Sequence, residues 1–408
     1  MRYITRHIEK TLAAYAEMFG IVLITGARQV GKSTLLQNCY PKTNYITFDD
    51  DLQLERASDD PELFLMDNKP PLILDEVQYI PSIFKKIKID VDKTNESGRF
   101  FMTGSQQFSM MKNVTESLAG RAGILSLLPL SFREVNGDTE TEQFIPTEEY
   151  IQRRTASALK YDTGYLWEFI LNGGMPAFYS GRKYSFEAFY SSYLRTYIDR
   201  DISSLAQVGD KGRFVAFLRA LSAHTGQLLN KTALANEVGI TAPTAEKWLT
   251  VLESSGIIYR LRPYSSNVLK REIKTPKLYF INPGLAAYLA GWRTAEILKN
   301  GAMSGAYFEN YVFCEILKSC YNNGILDPAI YFFRDRDGHE IDFVIEQNDT
   351  LYPIEVKKHA NPSNRDCREF AVLEKIPGKT RGTGCVINFN DNLMHLTQKD
   401  YALPVRYL

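Results

Sequence analysis

Short apolar runs rich in β-branched side chains occur at residues 21–25, 45–48, 72–74, 99–103 and 123–128, separated by polar or amphipathic stretches. That rhythm is expected of repeated strand and helix units, which assemble into a parallel sheet. Five strands of this kind predict one α/β domain over residues 1–135. From about residue 130 to 212 the pattern turns helical, and 136–212 reads as a helical lid or linker. Here Phe186, Phe189, Tyr190, Tyr193 and Tyr197 fall three and four apart, on one helix face. Such a stripe is expected to pack against a core rather than to hold a cofactor. The acidic stretch 138–149 is expected to be a loop.

Residues 213–285 read as helices followed by a basic, strand-like pair. Within them, 230–238, Gly239 and 241–252 give two short helices joined by a glycine turn, and Gly256 precedes an apolar strand. This looks like a winged helix-turn-helix. The final segment, 286–408, returns to α/β patterning. In it, 340–345 alternates with period two, 347–350 is polar, and 351–357 alternates again, which reads as a hairpin. No internal repeat is present.

A length of 408 residues supports two to three domains, and 44% hydrophobic with 24% charged residues excludes a disordered or collagen-like chain. Lys plus Arg and Asp plus Glu number 48 each, so any polyanionic partner must be met by local patches. The five cysteines include no C-x-x-C pair, which argues against a disulfide framework or a zinc ribbon and fits a reducing cytoplasm. Neither a signal peptide nor a membrane-spanning run is apparent, so a cytoplasmic protein without a membrane partner is expected.

Chemistry enters with Gly26-Ala27-Arg28-Gln29-Val30-Gly31-Lys32-Ser33, which fits G-x-x-x-x-G-K-[ST] between an apolar strand and the amphipathic start of a helix. The glycines let backbone N–H groups close around phosphate oxygens, and the helix presents its positive end to the same anion. Lys32 is expected to bridge the β- and γ-phosphates of ATP, and Ser33 to ligate Mg2+, with Thr34 as a weaker substitute. The strand ending in Asp75 and Glu76 presents two carboxylates at its carboxyl end, where parallel sheets bind ligands. Asp75 would hold the Mg2+ shell and Glu76 would act as general base; a solvated acidic turn is the alternative. Beside it, Ser105 or Gln106 could sense the γ-phosphate, or be ordinary turn residues.

These residues, with 118–121, 279–285 and 354–357, resemble the AAA+ ATPases, in particular a bacterial and archaeal group whose C-terminal part is a domain of unknown function related to restriction endonucleases. The resemblance covers nearly the whole chain. It implies a sensor at Ser105 and makes Arg121 the first candidate for an arginine that meets the γ-phosphate, with Arg200 the second; surface salt bridging is the alternative for both. An arginine supplied in trans would imply an oligomer.

In the C-terminal segment, Glu355 and Lys357 share a face of one strand, and Asp342 on the preceding strand can face the same cleft. Asp342 and Glu355 could bind a hard divalent cation, Mg2+ or Mn2+, and Lys357 could orient or activate water for phosphodiester attack. Glu309, in a helical run, is a plausible further member, and Glu315 could replace it. The arrangement resembles the PD-(D/E)XK nuclease superfamily, with Asp342, Glu355 and Lys357 at its matching positions and Ile341 where the name-giving proline would be. A solvated edge strand is the bland alternative.

For DNA the signals conflict. The expected recognition helix, 241–255, has a net charge of minus one, whereas 257–280 carries Arg260, Arg262, Lys270, Arg271, Lys274 and Lys277 against Glu272, a net of plus five. Three readings follow: an ATPase coupled to a DNA-associated, metal-dependent nuclease half; an ATP-regulated protein that binds a protein or DNA without cutting it; and a P-loop kinase for a small molecule, which leaves the rest of the chain idle.

Overall fold

The structure, a computed structural model, describes residues 2–104, 118–197, 211–265 and 275–408. Its N-terminal part is a five-stranded sheet of β1 (Ile21–Thr25), β2 (Asn44–Thr47), β3 (Leu72–Asp75), β4 (Phe100–Thr103) and β5 (Ala122–Ser126). The order is β2-β3-β4-β1-β5 with every pairing parallel. The residues of the three central strands, β1, β3 and β4, are buried on both faces because successive side chains point to opposite sides and helices cover both. Ile21, Leu23, Leu74 and Met102 meet α5 (Ile83–Thr94), while Val22, Ile24, Ile73 and Phe101 meet α1 (Glu9–Met18) and α2 (Lys32–Cys39). Asp50 and Asp60 cap α3 (Asp51–Asp59) and α4 (Pro61–Asp67) by accepting from backbone N–H groups of their first turns.

A short helix α6 (Phe132–Val135), closed by a Ser131/Glu134 capping box, leads into α7 (Glu148–Ser157), α8 (Thr163–Asn172) and α9 (Phe186–Tyr197). The acidic stretch before α7 is largely loop, but it is tethered: Asp138 accepts from Arg133 at 2.8 Å and its backbone carbonyl meets His7 at 2.7 Å. Next come α10 (Lys211–Ala223), α11 (Lys231–Val238) and α12 (Ala242–Ser254), with Gly239 ending α11 at φ 69°. An antiparallel pair, β6 (Ile258–Leu261) and β7 (Lys277–Phe280), follows these helices.

Helices α13 (Pro283–Ala290), α14 (Ala295–Asn300) and α15 (Ser304–Asn322) precede a mixed sheet. Its strands β8 (Ile330–Arg334), β9 (Glu340–Gln347) and β10 (Thr350–Val356) are antiparallel, and β10 continues in parallel to β12 (Gly384–Asn388) and β14 (Asp400–Pro404); β11 (Thr380–Arg381) and β13 (Met394–His395) are short additions. The hairpin between β9 and β10 is tighter than the polar run suggests. Gln347 and Thr350 form its last rung, so only Asn348 and Asp349 turn, both at positive φ, as a two-residue turn of this hand requires. One face of this sheet (Phe343, Ile354, Ile387) joins α15 and the middle helices in a single core running from Leu128 to Leu408. The other face packs under a 3-10 stretch (Asn364–Lys375).

Candidate functional site

The phosphate loop leaves β1 at Gly26, whose φ is 144° and where a Cβ would stand 2.2 Å from the Leu127 carbonyl oxygen. Gly31 follows at φ 97° as the cap of α2. Only glycine meets both conditions at Gly26, so the chain can pass β5 and curl back over the helix terminus. Lys32 is 6% exposed, and its ammonium donates to the carbonyls of Gly26 at 3.1 Å and Ala27 at 3.0 Å. Residues 28–34 and Glu76 line a cleft of about 790 Å³, whose far wall includes Tyr3, Ala177, Phe189 and Tyr193. That volume suits a nucleotide. The aromatic stripe of α9 therefore packs in the core, as its spacing predicts, while one edge of it faces the phosphate loop.

Asp75 ends β3 beneath this loop, 5% exposed. Its Oδ1 accepts from the Ser33 hydroxyl at 2.6 Å and from Thr103, and its Oδ2 accepts from the Tyr45 hydroxyl at 2.7 Å. Burial, reinforced by the Asp75 carboxylate, pushes the Tyr45 phenol up and keeps it a donor. Ser33 and Asp75 thus place two hard oxygen donors side by side, a set that fits Mg2+. Glu76 stands at φ 59°, left-handed backbone that turns the chain sharply out of the strand; its carboxylate accepts from Gln78 and its N–H donates to Thr103. Neither Tyr45 nor Thr103 was assigned a role from sequence; Tyr45 stands on β2 two residues before Thr47, the register partner of Asp75, and Thr103 ends β4.

Arg6 is the larger omission. Buried to 5% exposure, it donates to Glu134 at 3.1 Å, to the carbonyl of Val30 in the phosphate loop at 3.0 Å, and to that of Leu128 at 2.7 Å. Glu134 also accepts from the N–H groups of His7 and Ser131. Burial alone would raise its pKa, but Arg6, His7 and these N–H groups hold it below the usual value.

Arg121 is not brought to the phosphate loop. It precedes β5 level with Ile21, the start of β1, whereas the loop leaves the other end of that strand, about 13 Å away at 3.3 Å per residue. There it forms a two-pronged ion pair with Asp92 of α5. A role for Arg121 at the nucleotide of its own chain is corrected by this placement. Ser105, Gln106 and Arg200 lie outside the described residues.

The second cluster is assembled from β9, β10, α15 and β7. Asp342 Oδ2 accepts from the Val356 N–H at 2.9 Å, and the Asp342 N–H donates to Glu355 at 3.4 Å, so the two carboxylates face each other across the hairpin. Lys357 donates to Glu355 at 2.6 Å. From α15, Glu309 accepts from the Tyr279 hydroxyl at 2.5 Å. Glu315, its sequence rival, faces elsewhere: it accepts from the Phe132 N–H at 3.0 Å and pairs with Lys318 at 2.8 Å.

Lys277, counted among the wing's basic residues, is buried in this cluster. Its ammonium lies 2.8 Å from Glu340, 3.6 Å from Glu309 and 3.7 Å from Asp342. Burial works against that ammonium, but Glu309, Asp342 and Glu340 outweigh it and raise its pKa. Burial, and then the charge of Asp342, push Glu309 up to about 7 and Glu355 up to about 8. Protons held by a carboxylate cluster at neutral pH mark a site that gains from a cation. Arg260, half-buried, pairs with Glu246 at 2.6 Å and Glu253 at 2.6 Å on α12, so two of the six basic residues of 257–280 have carboxylate partners within the chain. Lys270, Arg271 and Lys274 lie outside the described residues.

Residues 19–136 match the family model described as an AAA domain. Residues 163–296 and 304–408 match two domains of unknown function, DUF8612 and DUF4143. An uncharacterized protein of Mycobacterium tuberculosis is 28% identical over 359 residues, covering 86% of this chain and 74% of the relative. One from Methanocaldococcus jannaschii is 26% identical over 376 residues, covering 87% and 78%. Among solved structures, a Walker-type ATPase of Pyrococcus abyssi aligns with a TM-score of 0.45 at 17% identity over 71% of this chain and 98% of that one. The AAA match falls on the segment carrying Lys32, Asp75 and Glu76 and supports a P-loop domain that binds or hydrolyses ATP. Among the described residues no helix is long and apolar enough to cross a membrane.

Proposed function

We propose that this chain hydrolyses ATP at its N-terminal cleft and that nucleotide state governs a metal-dependent phosphodiesterase acting on DNA in its C-terminal half. The observation that carries the second part is the convergence of Asp342, Glu355 and Glu309 with Lys357, from two strands and a helix, in one half-buried cluster. In the ATPase cleft, Lys32 exchanges its loop carbonyls for phosphate oxygens and balances their charge, while Glu76 takes the proton of the attacking water. Ser33 and Asp75 would hold Mg2+, which supplies further charge neutralisation on the phosphates. At the C-terminal cluster, Asp342 and Glu355 would hold Mg2+ or Mn2+, which would make bound water acidic. Lys357 then orients water toward phosphorus and balances charge as the phosphorus–oxygen bond to the leaving strand breaks.

The test is cleavage of linear and supercoiled DNA by the purified chain with Mg2+ or Mn2+, with and without ATP. Asp342→Ala and Lys357→Ala are each expected to abolish cleavage while leaving ATP hydrolysis in place; cleavage at wild-type rate in both would refute the nuclease reading. A second reading, an ATP-regulated switch that binds a protein or DNA without cutting it, is favoured by the inward pairing of Arg260, which strips charge from a DNA-facing wing. It predicts ATP hydrolysis, no cleavage under any condition, and retention of a partner that depends on nucleotide.

A further inference from the structure

The C-terminal cluster contains four carboxylates, Glu309, Glu340, Asp342 and Glu355, and two ammonium groups, Lys277 and Lys357. Lys277 does not come from the segment that supplies the carboxylates. It opens β7 of the helix-turn-helix module, lies 5% exposed, and holds its ammonium over the Phe332 ring, 5.6 Å from the centroid. An ammonium so buried is stable only if its charge is met, and three carboxylate oxygens from β9 and α15 meet it. Several of these oxygens already have partners. Asp342 turns Oδ2 to the Val356 N–H and Oδ1 toward Lys277, Glu309 takes Tyr279 and Lys277 on one oxygen, and Glu355 takes Lys357. With every carboxylate ionised, as a bound cation would hold them, the formal charge left over is minus two, the charge of one divalent cation and not of two.

We propose that Lys277 is a built-in cation of this site, contributed by the middle module, which limits the cluster to a single divalent ion held by Asp342 and Glu355. The inference rests on reading the cluster as a metal site and goes beyond it by fixing the ion count and naming the residue that sets it. Two-metal phosphodiesterases use a second ion to neutralise charge beside the first; here an ammonium already sits between Glu309 and Asp342 and serves that electrostatic end. Lys277 acts through the carboxylates, so it is a positioning residue whose effect is read in metal binding.

The experiment is a Mn2+ titration of the full-length, nucleotide-free chain, following loss of the free Mn2+ electron paramagnetic resonance signal, with Asp342→Ala as the blank. Wild type is expected to bind one Mn2+ that Asp342→Ala removes. Lys277→Gln, which keeps a donor for Glu340 but removes the charge, is expected to bind a second Mn2+ or to hold the first about tenfold tighter. Lys277→Arg is expected to restore the single ion at wild-type affinity. Two Asp342-dependent ions in wild type would overturn the role of Lys277 while leaving the metal site standing. No Asp342-dependent ion would overturn the metal reading and this inference with it. If Lys277→Gln does not fold, Lys277→Met, which keeps an unbranched side chain over the Phe332 ring and removes the charge, makes the same comparison, and a charge-free variant that binds one ion at wild-type affinity overturns the role of Lys277.

Discussion

Replacing Arg6 by alanine would remove the group that ties the phosphate loop to the rest of the chain. Its partner Glu134 has a side chain 1% exposed, so the mutation strands a buried carboxylate. Breaking a buried pair from one side costs about 3–5 kcal/mol. The carbonyls of Val30 and Leu128 lose a donor as well, at about 1–3 kcal/mol each if no water replaces it. Against this, Glu134 keeps the N–H groups of His7 and Ser131, both at 2.7 Å, which favours the lower end. With water taking the donor's place at both carbonyls in the space Arg6 vacates, the expected loss is about 3–4 kcal/mol, with nucleotide affinity down about tenfold because the Val30 turn is no longer anchored. Urea unfolding followed by far-ultraviolet circular dichroism measures the first, comparing midpoints at equal slope since a chain of several domains need not unfold in one step. A fluorescent ATP analogue measures the second. Adding Glu134→Gln to Arg6→Ala should recover part of the stability. A loss below about 1 kcal/mol for Arg6→Ala, or a double variant as unstable as the two single losses summed, would refute the pairing argument.

Lys32→Ala is expected to weaken binding of the same analogue by about 100-fold, the loss of two charge-assisted hydrogen bonds to phosphate at about 1.5 kcal/mol each; wild-type affinity would mean that the loop does not hold phosphate. Glu76→Gln should bind ATP within about threefold of wild type but hydrolyse it about 10²- to 10⁴-fold more slowly, and normal phosphate release would remove Glu76 as general base. In chelator, stability should fall on both sides of a mildly acidic optimum. Glu309 and Glu355, raised to about 7 and about 8, contribute stability that is full below their ordinary 4.5 and lost as pH rises through those values; Glu134, held below 4.5, contributes stability that is full above 4.5 and lost as pH falls toward its folded value. Urea midpoints from pH 3.5 to 8.5 check this, with Glu134→Gln expected to flatten the acid side and Glu355→Gln the alkaline side.

What could be read along the chain was whatever depends on near neighbours. The five parallel strands and the phosphate loop follow from local periodicity and from glycines at fixed offsets, and Asp75 follows from its place at a strand's end. Asp342, Glu355 and Lys357 were legible because the period of a hairpin dictates which side chains share a face. Glu340 shares that face two residues before Asp342, a signal present in the pattern and not used. Arg6 and Lys277 were out of reach because their partners are distant: Arg6 meets Glu134 across 128 positions, and Lys277 meets Glu340 across a module boundary. The place of Arg121 was out of reach for a related reason: its position in the chain gives no measure of which end of the sheet it occupies, and the start of β5 is the end away from the phosphate loop of its own chain.

The choice between Glu309 and Glu315 also bears on how the two halves are joined. Six residues apart on α15, they point about 120° apart around the helix axis at 100° per residue, so one helix cannot offer both to the same site. Glu309 faces the acidic cluster, while Glu315 with Lys318 faces the turn ahead of α6, where Lys318 donates to the Leu130 carbonyl at 2.9 Å. Two residues before Leu130, Leu128 is held by Arg6, which also holds Val30. A contiguous set of buried polar contacts therefore runs from the phosphate loop to the helix that carries Glu309. The boundary expected at residue 286 cuts across this arrangement, since a fragment of residues 286–408 would keep four carboxylates and Lys357 but lose Lys277 and Tyr279, leaving the cluster one charge more negative. The 213–285 segment thus supplies one wall of the acidic cluster through Lys277 and Tyr279, while Arg260 pairs with Glu246 and Glu253 of α12.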